Sequence, residues 1–104
     1  MSIRMNKLAE ESGLARASEL LARPWTLLII DQLSKGPLRF TEIATSLKGI
    51  STNLLTERLR MMVAHDIARR APGIPVSSYE LTERGRSVLP ALEMLRQWGE
   101  ELPA

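Results

Sequence analysis

The chain has 104 residues, no cysteine, one histidine, and 14 Lys and Arg against 12 Asp and Glu. That length suits one domain with a modest core, while the missing cysteine excludes disulfides, thiolate chemistry and Cys-based metal centres, and His65 alone makes no histidine cluster. A formal net charge of +2 gives a weak whole-molecule field, so any argument for a polyanionic partner must come from how the charges are distributed.

The run Leu27-Leu28-Ile29-Ile30 is far short of the roughly 20 apolar residues a membrane-spanning helix needs. The first residues lack the apolar h-region of a signal peptide. The expectation is a cytoplasmic protein without a membrane partner, forming one domain over residues 1–104 with no linker, internal repeat or low-complexity segment.

Residues 7–22 favour a first helix by propensity, being rich in Ala, Glu and Arg and carrying Leu8, Leu14, Leu20 and Leu21; Gly13 is a blemish there. Pro24 suits the first turn of a second helix, where its missing N–H is not needed. Trp25 to Leu33 are apolar nearly all round, which predicts a central, buried helix. Gly36-Pro37 stops it, and Leu38, Phe40, Ile43, Ala44 and Leu47 supply the inner face of a short third helix.

Lys48-Gly49 makes the next turn, and Ser51 fits the N-cap of a fourth helix running to about His65. On a wheel of about 100° per residue, Leu55, Leu59 and Met62 form one inward stripe while Asn53, Thr56, Glu57 and Arg60 face the other way. Two short helices joined by a tight polar turn, the second with a basic outer face, are the layout of a DNA-reading helix-turn-helix. Arg58 falls beside the buried stripe, an angle that favours a structural ion pair over a base contact.

Ile67 to Arg70 and Ser77 to Leu81 read as wing strands, with Pro72-Gly73 and Pro75 as breakers between them. Thr82 caps a last helix in which Val88, Leu89, Leu92, Leu95 and Leu102 recur at helical spacing with Trp98; Pro90 inside that pattern should bend it. The fold class expected is mainly α with a small β-hairpin wing, a winged helix-turn-helix.

The ordered string Trp25-Thr26-Leu27-Leu28-Ile29, Gly36-Pro37-Leu38-Arg39-Phe40 with Glu42, Gly49-Ile50-Ser51 and Leu55-Thr56-Glu57-Arg58-Leu59-Arg60 resembles the HxlR family of bacterial winged-helix transcription regulators. Tyr79-Glu80-Leu81-Thr82-Glu83-Arg84-Gly85 and Trp98-Gly99 complete the pattern, and the match spans nearly the whole chain from about Ser12. The resemblance implies a homodimer assembled largely through its terminal helices, with the fourth helix in the major groove and the wing on flanking backbone. Many members carry a sensing cysteine near the start of the domain; Ser12 stands at about that place here, so thiol sensing is excluded. Pro24 stands where members tend to have Lys, and Asp66 where they tend to have Gly after the reading helix. Asp tolerates a left-handed conformation better than most residues, so the turn should survive with some strain.

The candidate DNA contacts divide by position. Ser51, Thr52 and Asn53 open the fourth helix, where hydroxyls, backbone N–H groups and the helix dipole favour phosphate; for Ser51, capping is an equal alternative. Asn53 and Thr56 point outward toward bases, and Asn can pair bidentately with adenine. Arg60 is placed for guanine or phosphate, and Arg39 and Lys48 bracket the third helix within reach of the backbone. Glu57 cuts the other way, since near phosphate it repels unless it accepts from cytosine N4.

At the wing, Arg69 and Arg70 cannot both face DNA, because side chains alternate along a strand. Arg70 is preferred, with Ser77 opposite. His65 near a helix end fits a dipole partner better than a pH switch. Trp25, Trp98, Met61 and Met94 fit core or dimer interface better than an effector pocket, which leaves a small-molecule effector of unknown identity as the lesser reading.

No cofactor, metal or catalytic residue is expected, because scattered Ser and Glu with one His offer no nucleophile and base pairing. The function expected is sequence-specific binding of double-stranded DNA as a homodimer on an inverted-repeat operator. The rival is a winged helix used as a protein-interaction module, since fold does not fix function.

Overall fold

The computed structural model of the protein describes residues 12–72 and 77–104. Helix α1 spans Gly13–Leu21, α2 Thr26–Leu33, α3 Phe40–Ser46, α4 Thr52–Ala64, α5 Glu83–Arg86 and α6 Leu89–Glu100. Strands β1 (Leu38–Arg39), β2 (Ala68–Arg70) and β3 (Ser78–Leu81) form an antiparallel sheet in the order β1-β3-β2. Leu8 and the start of the expected first helix, and the breakers Gly73 and Pro75, lie outside the described residues. Gly13 begins α1 and does not interrupt it, and Ser12 caps that helix by accepting from Ala15 N–H at 3.1 Å.

The core is a single cluster built from α2 (Ile29, Ile30, Leu33), α3 (Ile43), α4 (Leu55, Leu59, Met62), the β2 approach (Ile67, Ala68), Leu81 and Leu92. Burial of each such side chain contributes about 1.5–3 kcal/mol, set against ordering entropy. Helix α2 is central but not enclosed on all sides, because Leu28 remains half-exposed.

Four expectations are corrected. Pro24 precedes α2 by two positions and lies in the α1–α2 turn; the helix N-cap is Trp25, held left-handed at φ 76°. Leu38 is in a strand, not a helix: it pairs with Tyr79, and Arg39 with Ser78, so the wing is a three-stranded sheet and not a lone hairpin. The wing strands start one residue later than expected on each side, Ile67 and Ser77 standing just outside them. The last helix is two, and Pro90 sits in the first turn of α6, where its ring bends nothing; Leu102 lies beyond that helix.

The corner between α4, the sheet and α5 is tightly tied. His65 closes α4, Asp66 adopts φ 60°, and the N–H groups of Asp66 and Ile67 reach back to the carbonyls of Val63 (3.1 Å) and Met62 (2.8 Å). This is a Schellman motif with the buried pair Met62 and Ile67 as its apolar contact. Thr82 then donates to Asp66 O at 2.5 Å while accepting from Gly85 N–H at 3.0 Å, joining the helix end to α5.

Candidate nucleic-acid interface

Helix α4 begins as its sequence directs: Ser51 Oγ accepts from Leu54 N–H at 3.1 Å. The preceding turn needs Gly49, whose φ of 94° is one that side chains disfavour. Along α4 the buried side chains are Leu55, Arg58, Leu59 and Met62. Asn53, Glu57 and Arg60 are exposed on the far side and Thr56 is half-buried beside them. Asn53, Thr56 and Arg60 therefore share one outward stripe at three- and four-residue spacing.

Their hydrogen-bonding capacity differs. Asn53, Arg60 and Lys48 have no side-chain partner among the described residues, and all are exposed. Thr56 spends its hydroxyl proton on Thr52 O at 2.8 Å. It keeps lone pairs and a methyl for a ligand but no donor. Thr52 is exposed at the first turn.

Arg39 occupies the N-cap of α3, where its backbone N–H donates to Glu42 Oε1 at 2.8 Å, and its side chain is exposed. Because Arg39 also pairs with Ser78 in the sheet, strand β1 ties the helix-turn-helix directly to the wing. Sequence reasoning misses this link, since a two-residue strand leaves no periodicity to read.

The wing separates its two arginines. Arg69 pairs with Glu80 across the ladder, Nε to Oε2 at 2.8 Å. Arg70 pairs with Tyr79 and its guanidinium lies 5.2 Å from the ring centroid, a cation–π contact that steadies an exposed charge near the wing tip. The sequence does not name Tyr79 and Glu80 as partners; only the strand register reveals them. Ser77 is exposed just before β3.

Arg58 is structural, but its ion pair is the minor part. Its side chain is 10% exposed and meets Glu57 at 3.4 Å, whereas Glu57 itself is 70% exposed. The stronger contact is Nε donating to Pro24 O at 2.8 Å, across to the α1–α2 turn.

Away from this face, α1, α2 and α6 frame an open apolar groove of about 940 Å³, lined among others by Leu14, Leu21, Leu27, Leu92, Leu95 and Trp98. Met94 also lines it, while Trp25 and Met61 pack half-buried against the core instead. Leu14 is 78% and Trp98 64% exposed. Asp31 and Arg96 fasten α6 to α2 at 2.5 Å; that hydrogen bond, then one to Glu93, raises the Arg96 pKa above its ordinary value.

The sequence signature of the HxlR-like helix-turn-helix family matches residues 20–103. The chain belongs to the HxlR family. It is 35% identical to the HTH-type transcriptional regulator YodB of Bacillus subtilis, the match covering 82% of this chain and 79% of YodB. It is 40% identical to an uncharacterised HTH-type transcriptional regulator of Mycobacterium tuberculosis over 88% of this chain, and the matched part is 60% of that relative's length.

Among solved structures, a MarR-family regulator from Porphyromonas gingivalis superposes with a TM-score of 0.81 at 29% identity, covering 90% of this chain and 95% of that one. Quinone-bound YodB superposes at 0.76 with 31% identity, covering 86% and 97% respectively. The winged helix-turn-helix fold is thereby established, and the chain belongs to a family of HTH-type transcriptional regulators. Among the described residues no helix is long and apolar enough to cross a membrane.

Proposed function

We propose that this HxlR-family regulator is a cytoplasmic homodimer that binds an inverted-repeat operator in double-stranded DNA, with α4 in the major groove and the wing on flanking phosphate. The observation that carries this reading is the outward stripe of α4, where Asn53 and Arg60 are exposed without side-chain partners among the described residues. In the proposal Asn53 and Thr56 read bases. Ser51 and Thr52 offer the helix N-terminus to phosphate, Arg60 takes guanine or phosphate, and Arg39, Lys48, Arg70 and Ser77 hold the backbone.

The dimer reading is supported by the apolar groove of α1 and α6, whose exposed Leu14, Met94, Leu95 and Trp98 have no cover among the described residues. A second copy presenting the same patch would bury them symmetrically.

The test is selection of bound duplexes from a random pool with the purified chain, followed by footprinting. The expected product is a two-fold symmetric site with half-site centres about 34 to 36 Å apart, or a multiple of that. Recovery of unrelated sequences bound with equal affinity would favour a protein-interaction module instead.

A further inference from the structure

The reading helix is held at two places by one short turn that carries no DNA contact in the proposal above. Trp25, left-handed at φ 76°, lays its indole against the α3–α4 turn: a Cβ built on Gly49 would lie 3.9 Å from Cη2 of Trp25. The adjoining Pro24 carbonyl accepts from Arg58 Nε at 2.8 Å, midway along α4. We infer that Trp25 and Arg58 form a latch that sets the position of α4, making Arg58 a positioning residue for base reading although it touches no DNA.

Three observations converge on this. The tie through Asp66 and Thr82 holds only the C-terminal end of α4; along its length the helix is held by the stripe of Leu55, Leu59 and Met62, whose contacts are non-directional and place the reading end poorly. A hydrogen bond to a fixed carbonyl places it well. A buried guanidinium is costly to desolvate, and an aliphatic side chain would fill the same space more cheaply; what the arginine adds is direction. Finally, a bulky residue at positive φ is strained, and relaxing the turn would lift the indole off its seat on Gly49. Recognition geometry tolerates errors of only about 0.5 Å, so loosening this latch should cost selectivity before it costs affinity in general.

This inference rests on the DNA reading proposed above, and the test separates the two. Probes are a duplex selected from the random pool by the wild-type chain and its scrambled counterpart, titrated at several salt concentrations well below each variant's unfolding midpoint. Arg58→Met should lose at least about fivefold in preference for the selected duplex, the low end of one base contact. Its affinity for the scrambled duplex and its salt slope should stay unchanged.

Arg58→Lys, which still offers a donor on a long stem, should keep more of the preference. Trp25→Leu should lower it too, and the double variant should lose no more than the worse single one; if Arg58→Met does not fold, the Lys and Leu variants carry the comparison. A salt slope flattened by about 0.9 would make Arg58 a phosphate contact, and unchanged preference or additive losses would overturn the latch. If the wild-type chain shows no preference at all, it is the DNA reading that fails. The latch is then judged by amide NMR of the free protein, where Arg58→Met must shift Trp25, Gly49 and Leu54 together, and isolated shifts at position 58 would overturn it.

Discussion

A Cβ on Gly85 would lie 2.1 Å from the carbonyl oxygen of Ile67. That oxygen is already fixed, since it accepts from Thr82 N–H at 3.0 Å, and Leu81 Cδ2 closes the other side at 3.2 Å. Helix α5 can thus pass the start of the wing only if its third residue has no side chain. Gly85→Ala should destabilise the domain by about 3 kcal/mol, as overpacking against backbone does. Urea unfolding measures this, and a loss under about 1 kcal/mol would mean that α5 can shift away freely.

Asp66 sits at φ 60°, the left-handed position of the Schellman turn that ends α4. Glycine adopts that conformation without a Cβ clash, so Asp66→Gly should stabilise by about 0.5 to 1 kcal/mol despite glycine's greater unfolded entropy. The substitution also removes the ion pair with Arg84 at 3.7 Å, which joins two exposed side chains and contributes little. Thermal unfolding of Asp66→Gly beside Asp66→Ala tests the cause: the first should rise and the second fall.

The parts of the fold legible in the sequence are those whose signals are local. The Leu55, Leu59 and Met62 stripe and the Ser51 cap each follow from residues within a turn of one another, and the structure holds both; the left-handed Asp66, expected from the Gly that the family resemblance puts there, is held as well. What is not legible depends on distant partners. Leu38 resembles the start of a helix until Tyr79 pairs with it. Arg58 finds its acceptor 34 positions away, so the wheel places it beside the core but cannot name Pro24. Pro90 misleads for another reason: proline is tolerated in a first turn as well as disruptive in a middle one, and the apolar spacing starts only at Val88, so it does not mark the break between α5 and α6.

Thr26 is fully buried and its Oγ1 has no hydrogen-bond partner among the described residues. An unsatisfied buried hydroxyl costs on the order of 1–3 kcal/mol, and valine has nearly the same shape without it. Thr26→Val should raise stability by about 1 kcal/mol, whereas Thr26→Ser, which keeps the hydroxyl and deletes a methyl, should lower it. Chemical unfolding of the pair decides; a destabilised Val variant would reveal a partner for the hydroxyl in solution.

Trp98 lies 64% exposed on the apolar groove of α1 and α6. In the proposed homodimer, placing a carboxylate there sets a charge against its symmetry mate in an apolar contact. Trp98→Glu should turn the dimer into monomers at micromolar concentration by light scattering, with each monomer retaining the helical signature of α4. A wild-type chain that is monomeric with and without DNA would remove the basis of the dimer.

The division of labour on the DNA face is tested by separating selectivity from salt dependence. Asn53 is exposed on the outward stripe without a side-chain partner among the described residues, whereas Arg70 is steadied over Tyr79 near the wing tip. Arg70→Ala should weaken selected and scrambled duplexes about equally and flatten the salt slope by roughly 0.9, since one phosphate contact releases about that many counterions. Asn53→Ala should cost about 1 to 3 kcal/mol on the selected duplex alone, because only the matching base rewards its amide. Titrations across several salt concentrations give both quantities from the same curves. Equal weakening of the two duplexes by Asn53→Ala, or an unchanged slope for Arg70→Ala, would show that the reading helix and the wing do not divide the work in this way.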